Sequence, residues 1–420
     1  MKSSRIPGFY QLSHPERIAR VAEITGLERS AVERLQNTGN VDADAVDAMI
    51  ENVVGTFNVP LGVATNLVID GEEVLVPMAT EESSVVAAVS NAARRCRDAG
   101  GITTSATAPL MIAQIQLLDI ANPELARLKV LERSDDIQTI CDETDPVLAR
   151  HGGGLRSVEA RVVNSRRGPM VVVHLLVDVR DAMGANAVNS MAEAVAPTLA
   201  EWTGGRSHLR ILSNLADRRL VRAHATWPLA EIGGVEVREH MLDAYEFAEA
   251  DPYRATTHNK GIMNGVTAVV LATGNDTRAV ESGAHAYACR DDSYRSLTRW
   301  ETDSEGNLCG SLEMPLPVGL IGGATRSHPT AQLCLEILGV DDAVRLSRII
   351  AAVGLAQNFA ALRALATTGI QKGHMALHAK NIAMMAGATG DELQRVADAL
   401  VERGTVRVDV AEEILQQIRG

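Results

Sequence analysis

Four short segments of the 420-residue chain gather residue types that can do chemistry. In THNKGIMNGVTAVVLATGND (257–276), Lys260 stands between Asn259 and Gly261, and Asp276 follows an apolar run. A lysine paired with a carboxylate stays protonated and can hold an oxygen on which negative charge develops. The same residues also read as a solvated loop lysine and as the N-cap of a following helix. Only five of the 40 Lys and Arg residues are lysine, which singles Lys260 out, because burial tunes a lysine and leaves an arginine charged. In VPMATEESSVVAAVSNAARR (76–95), Glu81 and Glu82 close a strand ahead of a helix opened by Ser83 and Ser84. A carboxyl there is a proton donor if partly buried, and otherwise a favourable charge at a helix start. In GHMALHAKN (373–381), His374 begins a helical tail. It reads as a general acid carried on a lid, or as a helix-start histidine facing water. In DVRDAMGANAVNSMAEAV (178–195), an apolar strand gives way to a helix at Asp181-Ala182-Met183-Gly184-Ala185-Asn186. Asp181 reads as the N-cap, and the small residues leave a bare first turn whose N–H groups and dipole suit a pyrophosphate. A plain capped helix packing small residues on a sheet has the same pattern.

Other chemistries are missing. The chain has no GxGxxG after a strand, no GxxxxGK[ST], no GxSxG and no HExxH. His374 and His378 share a helical face but lack an adjacent glutamate and a third ligand, so no metal is expected.

The elements that must position these residues follow from periodicity and punctuation. Residues 14–54 read as three short helices, the first opened by Pro15 and Glu16 after Ser13. Strand-like runs at 59–69 and 74–79 flank Asp70-Gly71, a hairpin signal, and a helix over 83–98 stops at Gly100-Gly101. From 108 to 216 the order is strand (111–119), helical stretch (122–150, with Pro146 as a break), strands 157–164 and 170–179, helix 182–202 and strand 207–215. That β-α-β-β-α-β order predicts a ferredoxin-like module inserted in the chain. Beyond it, the apolar run 266–273 predicts a central buried strand. Helices follow after Asp276, over 329–338 and 341–368, and over 374–386, 390–403 and 409–418.

The composition bounds the function. Hydrophobic residues make up 46% and charged residues 22%, the balance of a globular protein. A net charge of −13 argues against nucleic-acid binding through a broad basic face. No uninterrupted apolar run of about 18 residues predicts a membrane span. The first fifteen residues lack the apolar core of a secretion signal. The five cysteines, Cys96, Cys141, Cys289, Cys309 and Cys334, are scattered and contain no CxxC, which fits a cytoplasmic protein.

Together and in this order, DAMGAN, HNKGIMNG, ATGND and GHMALH resemble the hydroxymethylglutaryl-coenzyme A (HMG-CoA) reductase family, most closely its bacterial class II, degradative branch. The resemblance runs from SRIPGF (4–9) and MIENVVGTF (49–57) to GHMALHAKNIA (373–383). It implies an α+β fold: a large mixed substrate domain (1–107 and 217–370), an inserted ferredoxin-like cofactor domain (108–216) and a C-terminal helical flap (371–420). It implies the interconversion of (R)-mevalonate, CoA and two NAD+ with HMG-CoA and two NADH, run in the oxidative direction. An NADPH-linked biosynthetic reductase is the alternative. By the resemblance, Lys260 polarises the thioester and later the aldehyde oxygen, and Asp276 holds and tunes it. Glu82 gives and takes the proton, and His374 protonates the departing thiolate. Ser84, Asn214, Arg254 and Asn264 are implied to bind the hydroxymethylglutaryl group. Asp181, Met183, Gly184, Ala185 and Asn186 are implied to cradle the cofactor, with Asp145 at its ribose favouring NAD. The family further implies a homodimer or larger oligomer with the active site at the subunit interface. Tyr10 stands where a basic contact to CoA phosphate is expected. A Schiff-base lyase built on Lys260 and a non-catalytic interaction protein are the readings from other classes.

Overall fold

The computed structural model of the chain describes residues 11–25, 27–37, 39, 41–367 and 370–420; the side chains at 24, 25, 31, 34, 35, 43, 324 and 370–377 lie outside the described residues. Three helices come first, α1 (His14–Thr25), α2 (Arg29–Gln36) and α3 (Ala43–Met49), as the punctuation predicts. Glu16 accepts from the N–H and hydroxyl of Ser13, at 2.7 and 2.6 Å, which ties down the start of α1. Strands β1 (Leu61–Ile69) and β2 (Glu72–Ala79) form the expected hairpin. Asp70 and Gly71 both take positive φ, 53° and 82°, the combination a two-residue turn with matching twist requires. Helix α4 (Val85–Cys96) and strand β3 (Ile102–Ala106) follow.

The inserted segment contains β4 (Leu110–Leu118), α5 (Pro123–Leu131), α6 (Ser134–Thr144), α7 (Pro146–Arg150), β5 (Gly154–Ser165), β6 (Gly168–Asp178), α8 (Ala185–Thr203) and β7 (Arg206–Ser213). Its sheet is antiparallel with order β5-β6-β4-β7, the ferredoxin-like arrangement. The first helical stretch breaks at Pro146, as expected, and also at Arg133. Apolar residues of the sheet and of α5, α6 and α8 form a core of their own.

The chain then continues as β8 (Leu220–Trp227), α9 (Leu229–Ile232), α10 (Val235–Ala250), α11 (Pro252–Ala272), α12 (Thr277–Tyr287), β9 (Thr298–Thr302), β10 (Leu308–Pro315), α13 (Ala324–Ser327), α14 (Pro329–Leu338) and α15 (Ala343–Ala366). The large sheet has order β2-β1-β3-β8-β10-β9, with only β1 and β3 parallel among its pairs. Trp227 stacks on Phe359 of α15 at 4.4 Å and lies 5.3 Å from Trp300, so an aromatic-poor chain concentrates three rings at one point of this core. Helices α16 (Ile370–Met385), α17 (Asp391–Glu402) and α18 (Val408–Arg419) close the chain around a third, small core.

The predicted central strand at 266–273 is instead the last two turns of α11. A run this continuously apolar, buried except at Thr267 and Leu271, has no period that separates strand from helix. Asp251 caps this helix by accepting from Arg254 N–H at 2.8 Å, and Pro252 occupies its first turn. The helix therefore runs unbroken through Lys260 and into the apolar stretch. It crosses α15 closely: a Cβ at Gly265 would lie 2.9 Å from Gln357 Cβ, and one at Gly354 2.9 Å from Val266. Helix α15 is long and apolar enough to cross a membrane by length and composition, but 67% of that stretch is buried inside the protein, where it is the central core helix.

Candidate active site

Lys260 lies on the open face of α11, with its side chain 61% exposed. The two residues before it are buried and fix the rotation of the helix. Asn259 accepts from Leu297 N–H at 3.0 Å and donates to the Arg295 carbonyl at 2.8 Å. His258 Nε2 lies 2.9 Å from Thr298 Oγ1 and 3.1 Å from Asn358 Nδ2. Burial, helped by Arg254, pushes the His258 imidazole down to about 3, so it is neutral at physiological pH. With 258 and 259 turned inward, Lys260 must face out.

Its Nζ donates to Glu82 Oε2 at 2.8 Å, across 178 residues of sequence. Glu82 sits between the end of β2 and the start of α4, with its N–H donating to Thr80 Oγ1 at 3.2 Å. Ser84, the N-cap residue of α4, holds φ at 76°, a left-handed conformation that is unfavourable for a side chain bearing Cβ. Its hydroxyl makes no capping bond to α4. Asn264 follows Lys260 by one turn on the same helix face and is half-buried. Arg254, six residues before Lys260, is half-buried, and burial lowers its pKa.

A second locus forms where the insert meets the large sheet's loops. A cavity of about 670 Å³ is lined by Asp145, Met183 to Asn186, Asn275, Asp276, Arg278 and the 319–325 loop. Gly184, at φ 103°, precedes α8; a Cβ there would lie 2.7 Å from the Val179 side chain. No side chain caps α8, so the N–H groups of its first turn are left for a ligand. A bare 19-residue helix start opening into a cavity fits the pyrophosphate of a dinucleotide. Asp145 Oδ1 caps α7 by accepting from Leu148 N–H at 2.9 Å, while the residue still lines the cavity.

Several expected residues are arranged differently. Helix α8 starts at Ala185, not 182, and Asp181 is not its cap. Asp181 Oδ1 instead accepts from Ala343 N–H at the start of α15, 2.9 Å away. Its carboxylate is committed to the large domain and is absent from the cavity lining. Within one chain Lys260 pairs with Glu82 and not with Asp276. Asp276 caps α12, accepting from the N–H groups of Arg278 and Ala279 at 3.0 and 3.1 Å. Asn214 is exposed just past β7, its carbonyl against Gly283 of α12. The His374 side chain and Tyr10 lie outside the described residues. Among the described residues no His, Cys, Asp and Glu cluster could hold a metal.

Three supporting residues receive no role from the sequence, although the first lies within ATGND. Asn275 accepts from Gly319 N–H at 2.8 Å and so fixes the loop facing the 181–186 turn. A Cβ on Gly319 would lie 2.3 Å from Met183 N, so only glycine lets the loop lie this close. Arg219 is buried, donating to the carbonyls of Ala182, Met183 and Val318.

The sequence pattern of the hydroxymethylglutaryl-coenzyme A reductase family matches residues 14–379. The 3-hydroxy-3-methylglutaryl-coenzyme A reductase of Archaeoglobus fulgidus is 55% identical over 418 residues, covering 100% of this chain and 95% of the relative. A probable enzyme of the same name from Borreliella burgdorferi is 36% identical, covering 82% of this chain and 79% of the relative. The class II reductase of Streptococcus pneumoniae, solved with NADPH in open conformations, superposes with a TM-score of 0.77 at 38% identity, covering 97% of this chain and 100% of that one. Pattern, relatives and fold agree over nearly the full length, and the chain belongs to the hydroxymethylglutaryl-coenzyme A reductase family.

Proposed function

We propose that the chain interconverts HMG-CoA and mevalonate with NAD as the preferred nucleotide, oxidising mevalonate. The observation that carries the chemistry is the Lys260–Glu82 contact at 2.8 Å on an open helix face. A thioester that becomes an alcohol takes up two hydrides and two protons, and each hydride addition places negative charge on one oxygen. The nicotinamide, when bound, supplies or accepts those hydrides. A fixed ammonium at Lys260 meets the developing charge in both halves of the reaction. Glu82, in hydrogen-bond contact with Lys260, is placed to pass the proton at the aldehyde stage. His374, on α16, is the proposed acid for the thiolate leaving group. Ser84, Arg254, Asn264 and Asn214 are the proposed contacts to the hydroxymethylglutaryl group. In the oxidative direction each proton transfer reverses.

Asp145 on the cavity wall supports NAD, because a carboxylate bonds a ribose 2′-hydroxyl and repels a 2′-phosphate. One observation favours a second reading. Arg278 lines the same cavity with its side chain 91% exposed and, among the described residues, only its Nε engaged, 3.4 Å from Asp276 Oδ1, and an exposed guanidinium suits a 2′-phosphate. The NADPH bound by the Streptococcus pneumoniae enzyme points the same way. Initial rates with mevalonate plus CoA, comparing NAD and NADP, decide between them. NADH formation with NADP poor is the expected result; an NADP preference overturns Asp145's role and moves the enzyme toward biosynthesis.

Helix geometry supports a shared active site. Twelve residues separate Lys260 from the end of α11, about 18 Å along the axis, so Lys260 does not reach its own Asp276. Tyr253 and Leu271, 86% and 44% exposed, flank Lys260 along this helix. We therefore take the functional unit to be at least a dimer, with the cofactor cavity and Asp276 of one copy serving Lys260 of the other. The three separate cores support domain limits at 1–107, 108–216, 217–370 and 371–420, the last acting as a flap. The five free thiols, three of them buried, fit a cytoplasmic setting.

A further inference from the structure

Arg219 is a buried cation that the chemistry above does not use. It is 4% exposed, and burial pulls its pKa down to about 10. All its hydrogen bonds among the described residues go to backbone carbonyls: Ala182 and Met183 at 3.2 Å and Val318 at 2.6 Å. Among the described residues no carboxylate bonds it. Asp178 and Asp181 act on it through space. Asp178 is engaged by Arg156 at 3.1 Å and Arg180 at 3.6 Å, and Asp181 by the start of α15. Desolvating a guanidinium without a paired anion is expensive, so its three acceptors must carry a structural requirement that a neutral residue does not meet.

Those acceptors belong to two segments. Ala182 and Met183 are in the turn before α8; Val318 precedes Gly319, where a Cβ would lie 2.3 Å from Met183 N. The same seam is stitched by Leu320 N–H donating to the Asp181 carbonyl at 2.8 Å and by Gly319 N–H donating to Asn275. In a trans peptide the N–H points opposite to the carbonyl before it. Drawing the Met183 carbonyl toward Arg219 therefore aims the Gly184 N–H the other way. A planar fork presents its donors from separate atoms in fixed, divergent directions and so reaches both segments, whereas an ammonium clusters its three donors on one atom.

We propose that Arg219 is a positioning residue for the nicotinamide nucleotide, clamping the 181–186 turn against Val318 and so setting the direction of the N–H groups that receive the pyrophosphate. The proposal rests on the assignment of that turn as the cofactor cradle. The test titrates the full-length protein with NADH and NADPH by nicotinamide fluorescence and with HMG-CoA by calorimetry. In Arg219→Lys the nucleotide Kd rises at least tenfold while the HMG-CoA Kd stays within twofold. Gly319→Ala perturbs the seam from its other side and gives the same selective loss, so the clamp remains testable if Arg219→Lys does not fold. Nucleotide binding within twofold of the parent in the folded variants overturns the clamp, as does equal weakening of both ligands. Ala185→Glu, which places an anion at the bare helix start, tests the underlying assignment separately. If it binds nucleotide like the parent, the turn is not the cradle; if it alone loses nucleotide, the turn is the cradle and Arg219 does not position it.

Discussion

Lys260, the proposed oxyanion cation, illustrates a charged residue that chemistry can require and folding barely needs. Its side chain is 61% exposed and its ion pair with Glu82 is open to water, so the pair contributes about 0–1 kcal/mol to stability. Removing the charge from a developing oxyanion costs roughly 10²–10³-fold or more in rate. Lys260→Ala is therefore expected to lose at least that much kcat with an unchanged urea midpoint; a near-parental rate would remove Lys260 from the mechanism. His258, two positions away, has the opposite character. The native imidazole stays neutral down to about pH 3, whereas in the unfolded chain it takes a proton below about 6.5. Between those values the unfolded state binds more protons, so stability from this group is complete above pH 6.5 and lost on acidification. The slope is up to ~1.4 kcal/mol per pH unit. Urea midpoints between pH 7 and 4 should fall less steeply in His258→Gln than in the parent, and parallel slopes would contradict a neutral buried histidine. Lys260 was legible because lysine is scarce in this chain. Arg219 was not, since Arg218 beside it is the same residue type and only burial separates their roles.

Helix α11 carries the main misreading and explains it. The run VTAVVLAT has strand composition, and its nearly unbroken apolar sequence lacks the spacing that would have identified it as helix. The informative signal lay earlier, in Asp251-Pro252, a cap and first turn for a helix that nothing then interrupts. The two glycines inside this helix do different things. Gly261 has no atom within 4 Å of where a Cβ would stand, whereas at Gly265 that position is 2.9 Å from Gln357 and 3.2 Å from Val353. Gly261→Ala should stabilise the protein by ~0.5–1 kcal/mol through helix propensity. Gly265→Ala should destabilise it by ~1–3 kcal/mol by forcing α15 away. Guanidinium unfolding of the two variants checks both signs; equal effects would mean that the close crossing of α11 and α15 is not as described.

At the scale of the whole molecule, the inserted ferredoxin-like fold was readable because its elements are local and well punctuated, with hairpin turns and glycine stops between them. What one chain could not disclose is how its two functional loci combine. The sequence puts Lys260 and Asp276 only sixteen positions apart, and a strand reading left their pairing open. As a helix, α11 holds Lys260 away from the Asp276 cavity and exposes Tyr253 and Leu271 alongside it. A symmetric pair of chains resolves this if each site takes its lysine from one copy and its aspartate from the other. That arrangement makes a prediction that a site within one chain cannot imitate. Lys260→Ala and Asp276→Ala proteins should each be inactive alone. In a mixed dimer, the lysine of the Asp276→Ala chain meets the aspartate of the Lys260→Ala chain and rebuilds one complete site, while the other site lacks both groups. With random pairing of equal amounts, half the dimers are mixed and half of their sites are intact, so co-expression should restore about a quarter of parental activity. If both groups act within the same chain, every site in every dimer carries one defect, and co-expression restores nothing.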